Sequence, residues 1–153
     1  MLFCIFSMGD ERYALDALQI AEVLPVVRVK EIPMAPAGVL GIIDYHGTLV
    51  PLIDLTQLAL SKPALRRLGT RIIVVNYPDQ KGTNHLLGLL AERATEVMRR
   101  DSAEFVASGV GNDSAPYLGP VTTDSDGMVQ WINLDRLLPP AVRDQLFTQL
   151  ANA

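Results

Sequence analysis

The stretch GIIDYHGTLVPLIDL, from Gly41 to Leu55, decides how this chain folds. Two aliphatic runs flank the polar tetrapeptide Asp44-Tyr45-His46-Gly47. Short apolar runs around a glycine-containing turn are typical of a β-hairpin, because glycine tolerates the left-handed backbone of a tight turn. We therefore predict strands at Val39–Ile43 and Thr48–Ile53, with the tip of the hairpin between them.

The polar tetrapeptide allows two interpretations, a reaction centre or a displayed turn. A catalytic or metal site would require Asp44, His46 and Asp54 to converge, and alternation along a strand can place Asp44 and His46 on one face. Asp54, however, has the setting of a helix N-cap, because Gln57 follows three residues later. An aspartate bound to backbone N–H groups is a poor base or ligand. We therefore predict a displayed turn, with no catalytic residue, no metal ligand and no cofactor.

The rest of the chain consists of further short apolar runs bounded by turn residues, a pattern typical of barrels and sandwiches. The polar segment 61–70 separates two sets of such runs. We expect a mostly β protein with two intertwined lobes joined by this segment, in one domain over residues 1–153. Pro139-Pro140 predicts the start of a C-terminal helix that ends near Leu150. The strands expected after the segment are Arg71–Val75, His85–Ala91, Thr95–Arg100, Tyr117–Thr122 and Met128–Ile132.

A short helix is predicted between the first strands and the hairpin. Asp16 can cap it, and Gln19 stands at the spacing of a capping box. The apolar residues that follow have helical spacing, and Pro25 ends the segment. This helix would carry Ile20 and Glu22.

The apolar residues of the predicted strands form the predicted core. In the first lobe they are Phe3, Ile5, Tyr13, Leu15, Leu52 and Ile53. In the second lobe they are Ile72, Val74, Leu87, Leu89, Val97, Leu118, Val121 and Trp131.

Composition excludes several classes of function. A net charge of −4 and a pI near 5.1 argue against a nucleic-acid partner, which requires a basic surface. The single cysteine, Cys4, excludes a disulfide within the chain and a cysteine-based zinc site. No secretion signal and no apolar run of ~18 residues are evident, so we expect a cytoplasmic protein without membrane insertion.

Several stretches resemble one known family, the chemotaxis coupling protein CheW. They are FSMGDERYALDALQIAEVL, IPMAPAGVLGIIDYHGTLVPLIDL and RIIVV, and the likeness continues more weakly through LLGLLAERATEVM and YLGPVTTDSDGMVQWINLDRLL. The resemblance covers nearly the whole chain. It implies two SH3-like five-stranded β-barrel lobes with short connecting helices and a C-terminal helix.

The resemblance also implies a function without catalysis. Proteins of this family are scaffold adaptors that bridge the cytoplasmic tip of a chemoreceptor to the regulatory domain of a CheA-type histidine kinase. They are recruited to receptor arrays at the inner face of the membrane. The positions that match the family's receptor-binding side are Ile20, Glu22 and the tetrapeptide Asp44, Tyr45, His46 and Gly47. The kinase-docking surfaces lie at the barrel ends.

One position departs from the family pattern. The family usually reads Asn-Leu-Arg-Gly where this chain has Asp44-Tyr45-His46-Gly47. A permanently charged guanidinium is replaced by an imidazole, which is mostly neutral at pH 7, and an amide is replaced by a carboxylate. This difference suits an adaptor of an alternative chemosensory pathway.

Three other functions remain open on the sequence. A small-ligand-binding β module would show a deep apolar pocket with converging polar groups. An enzyme would show a perturbed titratable group in a cleft. A detached kinase regulatory domain would share the fold of the adaptor.

Overall fold

The protein is mostly β, as predicted. The structure, a computed structural model, describes residues 1–79 and 81–151. Strands hold 50% of the residues and helices 16%. The strands are β1 (Leu2–Met8), β2 (Glu11–Asp16), β3 (Ile20–Pro25), β4 (Lys30–Glu31), β5 (Val39–Tyr45), β6 (Thr48–Asp54), β7 (Arg71–Pro78), β8 (Asn84–Arg99), β9 (Leu118–Asp124) and β10 (Gly127–Ile132).

Helices are few and short. The α-helices are α1 (Leu55–Leu60) and α2 (Pro140–Ala151), and 3-10 turns occupy Ala17–Gln19, Ser102–Glu104 and Leu134–Arg136. The C-terminal helix is thus confirmed, and it is the longest one over the described ranges. None of the helices there has the length and apolar character that a bilayer crossing requires.

One long strand, β8, runs through the whole molecule. Its first half pairs with β7 in an antiparallel ladder and with β6 in a short parallel one. Its second half pairs with β1, from Leu2↔Arg99 to Ser7↔Glu92. The prediction of two separate strands, His85–Ala91 and Thr95–Arg100, is therefore wrong.

A β-bulge explains why the sequence looked interrupted there. The register between β1 and β8 shifts between the pairs Ile5↔Glu96 and Ser7↔Glu92. Within this interval Arg93 has a left-handed φ of 51°. A bulge adds unpaired residues and bends a strand without ending it, so the polar residues at this point do not form a loop.

The ten strands form one sheet, in the order β4-β5-β6-β8-β1-β2-β10-β9, with β3 attached through β7. The sheet does not close on itself, but it folds into two lobes consistent with the SH3-like prediction. We call β3 to β7 with the first half of β8 the central lobe. We call β1, β2, β9 and β10 with the second half of β8 the terminal lobe. The segment 61–70 contains no helix or strand and leads from α1 to β7.

The core residues are not divided between the lobes as predicted. Leu52 packs with Ile72 and Val74 in the central lobe. Phe3 and Ile5, which were assigned to the same lobe as Leu52, pack in the terminal lobe instead. The N-terminal hairpin pairs with β10, through Arg12↔Val129 to Ala14↔Trp131, so the first two strands and the last two strands share the terminal lobe.

A third apolar cluster lies between the lobes and includes residues from α1 and α2. Ile53, Leu15, Leu87 and Leu89 belong to it. Its other buried members include Phe6, Tyr77, Leu137, Leu138, Leu146 and Phe147.

Most of the predicted core is buried, with one clear error. Val97 is 64% exposed. Its neighbour Met98 packs in the terminal lobe instead, and successive strand side chains point to opposite faces. The predicted members that are only partly buried are Tyr13, Leu118, Val121 and Trp131.

The helix predicted after Asp16 is also wrong. Asp16 does cap a turn, since its Oδ1 accepts a hydrogen bond from the Leu18 N–H at 3.0 Å. The turn ends at Gln19, and the chain continues as β3 along β7. A cap determines only the first turn, whereas pairing along Ile20–Pro25 satisfies the backbone groups that face β7 and overrides the helical spacing.

Leu52→Ala should lower the free energy of unfolding by about 2–5 kcal/mol, because the side chain is fully buried and its loss leaves a cavity. Leu49→Ala on the same strand is the control. Leu49 is 51% exposed, so the same change should cost less than about 1 kcal/mol. Urea denaturation of both variants measures the difference, and equal losses would contradict the assigned register of β6.

The bulge of β8 can be tested at Arg93, which is exposed. Arg93→Val should destabilise the protein by about 1–2 kcal/mol, because a branched side chain is strained at positive φ. Arg93→Gly should be neutral or slightly stabilising. Thermal unfolding distinguishes the two, and a tolerated valine would show that the strand is regular here.

Candidate functional site

The central hairpin ends in the two-residue turn His46-Gly47. Both residues have positive φ angles, 51° and 86°, which is the arrangement of a type I′ turn. Asp44 fixes the turn, because its Oδ1 accepts a hydrogen bond from the Gly47 N–H at 2.8 Å. The predicted hairpin turn is confirmed, and its tip is two residues shorter than the tetrapeptide suggested.

The turn contacts Glu22, which comes from β3. The Tyr45 hydroxyl donates a hydrogen bond to Glu22 Oε1 at 2.8 Å. His46 Nε2 lies 3.5 Å from the same oxygen, and its ring contacts the Tyr45 ring with centroids 4.5 Å apart. Since β3 does not pair with β5 or β6, these side chains connect two elements that the backbone leaves apart. We call Glu22, Tyr45 and His46 the carboxylate cluster.

The carboxylate cluster is open to solvent. The Glu22 side chain is 43% exposed and that of His46 is 74% exposed. The hydrogen bond to Glu22, with smaller contributions from desolvation and from the Glu22 charge, raises the pKa of Tyr45 above its ordinary value. The tyrosine therefore stays protonated and holds the carboxylate in one place. The result is a positioned negative charge on the surface.

Ile20 has a different setting from the other predicted site residues. It begins β3, is partly buried and packs against the cluster between the lobes. The register with β7 shifts between Ile20 and Glu22, so the usual two-residue alternation is broken between them. The structure thus brings Glu22, Tyr45 and His46 together, with Asp44 and Gly47 shaping the turn and Ile20 at the inner end of the strand.

Asp54 does not join this site. It is buried and caps α1, where its Oδ1 accepts from the Gln57 N–H at 3.1 Å. Its Oδ2 accepts from the Ala64 N–H at 3.0 Å. The predicted N-cap is confirmed, and both oxygens are committed to backbone donors. In the described part of the chain, no group of three or more His, Cys, Asp or Glu side chains could hold a metal ion.

A second histidine lies at the junction with the C-terminal helix, which the sequence did not indicate. His85 Nε2 is 2.8 Å from Asp79 Oδ2, and the His85 ring stacks on Phe147 of α2 with centroids 4.3 Å apart. The His85 hydrogen bond, helped by the Thr83 and Lys81 N–H groups, lowers the pKa of Asp79 against the opposing effect of burial. These contacts fasten α2 to the sheet.

Two cavities lie on another side of the molecule. One, of about 480 Å³, lies between Leu58 of α1, Tyr117 and the start of α2. The other, of about 440 Å³, is lined by Trp131 and by residues of the Ala17–Gln19 and Leu134–Arg136 turns. No residue of the carboxylate cluster lines either cavity.

These features define a two-lobed β domain with a polar surface turn. A family model described as the CheW-like domain matches residues 2–141. The chain belongs to this family.

Individual relatives agree with this assignment. The chemotaxis protein CheW of Treponema pallidum is 29% identical over 141 residues, which cover 86% of this chain and 78% of that protein. The CheW of Helicobacter pylori is 33% identical over 97 residues, which cover 63% of this chain and 56% of that protein. The crystal structure of the scaffolding protein TtCheW from Thermoanaerobacter tengcongensis matches with a TM-score of 0.76 at 26% identity, covering 90% of this chain and 87% of that one.

Glu22→Gln should lower the pKa of the Tyr45 phenol toward its ordinary value, because an amide is a weaker acceptor and does not repel a phenolate. NMR of ¹³C-labelled tyrosine between about pH 8 and 12 measures this shift. Tyr117, whose pKa is raised by burial, is the internal control and should not move.

The sign of the pH dependence follows from the raised pKa. The Tyr45–Glu22 hydrogen bond contributes stability that is fully present below the ordinary phenol pKa of about 10 and is lost as pH rises through the folded-state value. An unchanged Tyr45 titration in Glu22→Gln would show that the hydrogen bond does not persist in solution.

Proposed function

We propose that this protein is a non-catalytic scaffold adaptor that couples a chemoreceptor to a CheA-type histidine kinase. The match to the CheW-like domain over residues 2–141 supports a role in chemotaxis-type signalling. The structural similarity to the scaffolding protein TtCheW supports the adaptor role. The adaptor would work in the cytoplasm, at receptor arrays on the inner face of the membrane.

The carboxylate cluster is the observation that carries this proposal. An exposed carboxylate held by a tyrosine and bordered by a rigid turn presents a fixed charge to a partner. A preorganised contact loses little conformational entropy on binding, which favours recognition of a protein surface. Asp54, the carboxylate that an enzyme site would also need, is engaged in capping a helix.

The partner at this surface should carry positive charge. Glu22 and Asp44 supply two carboxylates near the tip, and His46 replaces the arginine that the family pattern usually has. A receptor tip that presents lysine or arginine complements this surface better than an acidic one. The altered charge fits a receptor of an alternative chemosensory pathway.

The kinase would bind elsewhere, at the ends of the two lobes. Adaptor function requires both partners at once, so the receptor site and the kinase site must not overlap. The β5–β6 turn belongs to the central lobe, so the lobe ends away from this turn would serve the kinase. This arrangement makes the two affinities separable by mutation.

Glu22→Lys should weaken binding of the cognate receptor tip by about 1–3 kcal/mol, because it reverses the charge that the partner meets. His46→Arg should also weaken it, because it places a permanent cation beside Glu22. Both variants should retain the affinity for the kinase regulatory domain. Isothermal titration against the two partners measures these affinities.

A matched control makes the same glutamate-to-lysine change elsewhere in the central lobe. Glu31→Lys lies on β4, is exposed and has no contact with the carboxylate cluster, so it should leave both affinities near wild type. If Glu22→Lys abolishes kinase binding and spares the receptor, the site assignment is wrong. If neither Glu22→Lys nor His46→Arg changes either affinity, this surface is not the receptor site.

The cognate kinase can be identified by size-exclusion chromatography with the regulatory domain of each co-resident chemotaxis-type kinase. A stable complex with one of them supports the adaptor role. Failure to bind any of them, together with failure to bind receptor tips, would contradict it.

A further inference from the structure

An arginine at the start of the C-terminal helix lacks the hydrogen bonds that a buried guanidinium needs. Only 15% of the Arg143 side chain is exposed. Its Nε is fully buried and has no hydrogen bond, and its closest charged partner in the described structure is Asp144 Oδ1 at 3.6 Å. Leaving a buried polar group without a partner is costly, so such a group in a folded protein requires an explanation.

The comparison with Arg100 shows how unusual this is. Arg100 also has a buried Nε without a hydrogen bond. Its other nitrogens, however, donate to Glu104 Oε2 and to the Thr123 carbonyl, each at 3.2 Å. In the described chain the Arg143 side chain makes no such hydrogen bond, and its ion pair with Asp144 is long at 3.6 Å.

Arg143 lines the larger of the two cavities. At about 480 Å³ this cavity is within the range of small-molecule sites. Its walls are largely apolar and include Leu58, Leu137 and Leu138. The cavity therefore combines an apolar volume with a largely buried guanidinium on its wall, and a guanidinium can bind a carboxylate in two parallel hydrogen bonds.

The charges around the cavity favour an anion at its inner end. Arg136 is a second cation on the lining, and the first residue of α2, Pro140, also lines the cavity at the positive end of the helix. Asp113 and Asp135 lie on the lining too, and like Arg136 they are exposed, so all three charges are screened by water and salt. The largely buried guanidinium of Arg143 is screened much less.

We propose that this cavity binds a small organic carboxylate, with the apolar body of the ligand against Leu58, Leu137 and Leu138 and its carboxylate on Arg143. The site is separate from the carboxylate cluster and does not depend on the proposed adaptor function. It would make the adaptor responsive to a metabolite of this class. No covalent chemistry is involved.

The test uses the 153-residue chain and three probes. Phenylacetate and octanoate should bind with a Kd of about 1 mM or lower, as expected for ligands of this size. Phenylacetamide, which has the same shape as phenylacetate and no charge, should bind at least about 10-fold more weakly because it cannot form a charge-assisted pair. Chemical shifts of ¹⁵N-labelled protein report the binding and its location.

Arg143→Met keeps the apolar stem and removes the guanidinium. It should reduce phenylacetate affinity at least about 10-fold and, in the free protein, raise Tm by about 2–4 °C, because an unsatisfied buried polar group is removed. Arg66→Gln, at an exposed position outside the cavity, is the control and should leave phenylacetate binding unchanged.

The proposal fails on any of several outcomes. The cavity does not recognise an anion if neither carboxylate binds at a concentration about 10-fold above the expected Kd. The same conclusion follows if phenylacetamide binds as tightly as phenylacetate. If Arg143→Met lowers Tm, the guanidinium has a structural role in the free protein. If Arg143→Met instead weakens kinase or receptor binding while carboxylates do not bind, Arg143 belongs to a protein interface.

Discussion

The sharing of β8 between the two lobes is the constraint on which the rest of the structure depends. Its first half supplies pairing partners to β6 and β7, and its second half supplies one to β1. Neither lobe can therefore form its full sheet without this strand. The bulge at Arg93 lets one strand serve both lobes by changing its direction without breaking its pairing. The apolar cluster between the lobes then buries the side chains that neither lobe covers alone.

Local features of the fold could be predicted from the sequence, and long-range features could not. The central hairpin, the Asp54 cap and the C-terminal helix each depend on a few neighbouring residues, and each was predicted correctly. The helix expected after Asp16 was wrong because β7, some 50 residues later, provides a better partner for that segment. The assignment of Leu52 and Phe3 to one lobe failed for the same reason, since sequence order does not report which strands β8 brings together.

The candidate site shows the same division. The turn and the display of Tyr45 and His46 followed from Gly47 and the flanking strands. The hydrogen bond from Tyr45 to Glu22 links residues 23 positions apart, on strands that do not pair with each other, and no local pattern encodes it. The unsatisfied Arg143 is equally invisible in the sequence, because its burial depends on how α2 packs against the sheet. Only the resemblance to a family indicated that Glu22 and the turn belong together.

The pairing of the first strands with the last strand affects how the protein is made. The N-terminal hairpin cannot complete its sheet until β10 is available, because Arg12, Tyr13 and Ala14 pair with residues 129–131. At ribosomal speeds of about 5–20 residues per second, this delay is on the order of ten seconds. During that interval Phe3 and Ile5 lack the partners that bury them in the finished protein. The central lobe can assemble first, except for its dependence on β8, so nascent chains should be most vulnerable to aggregation through their first strand.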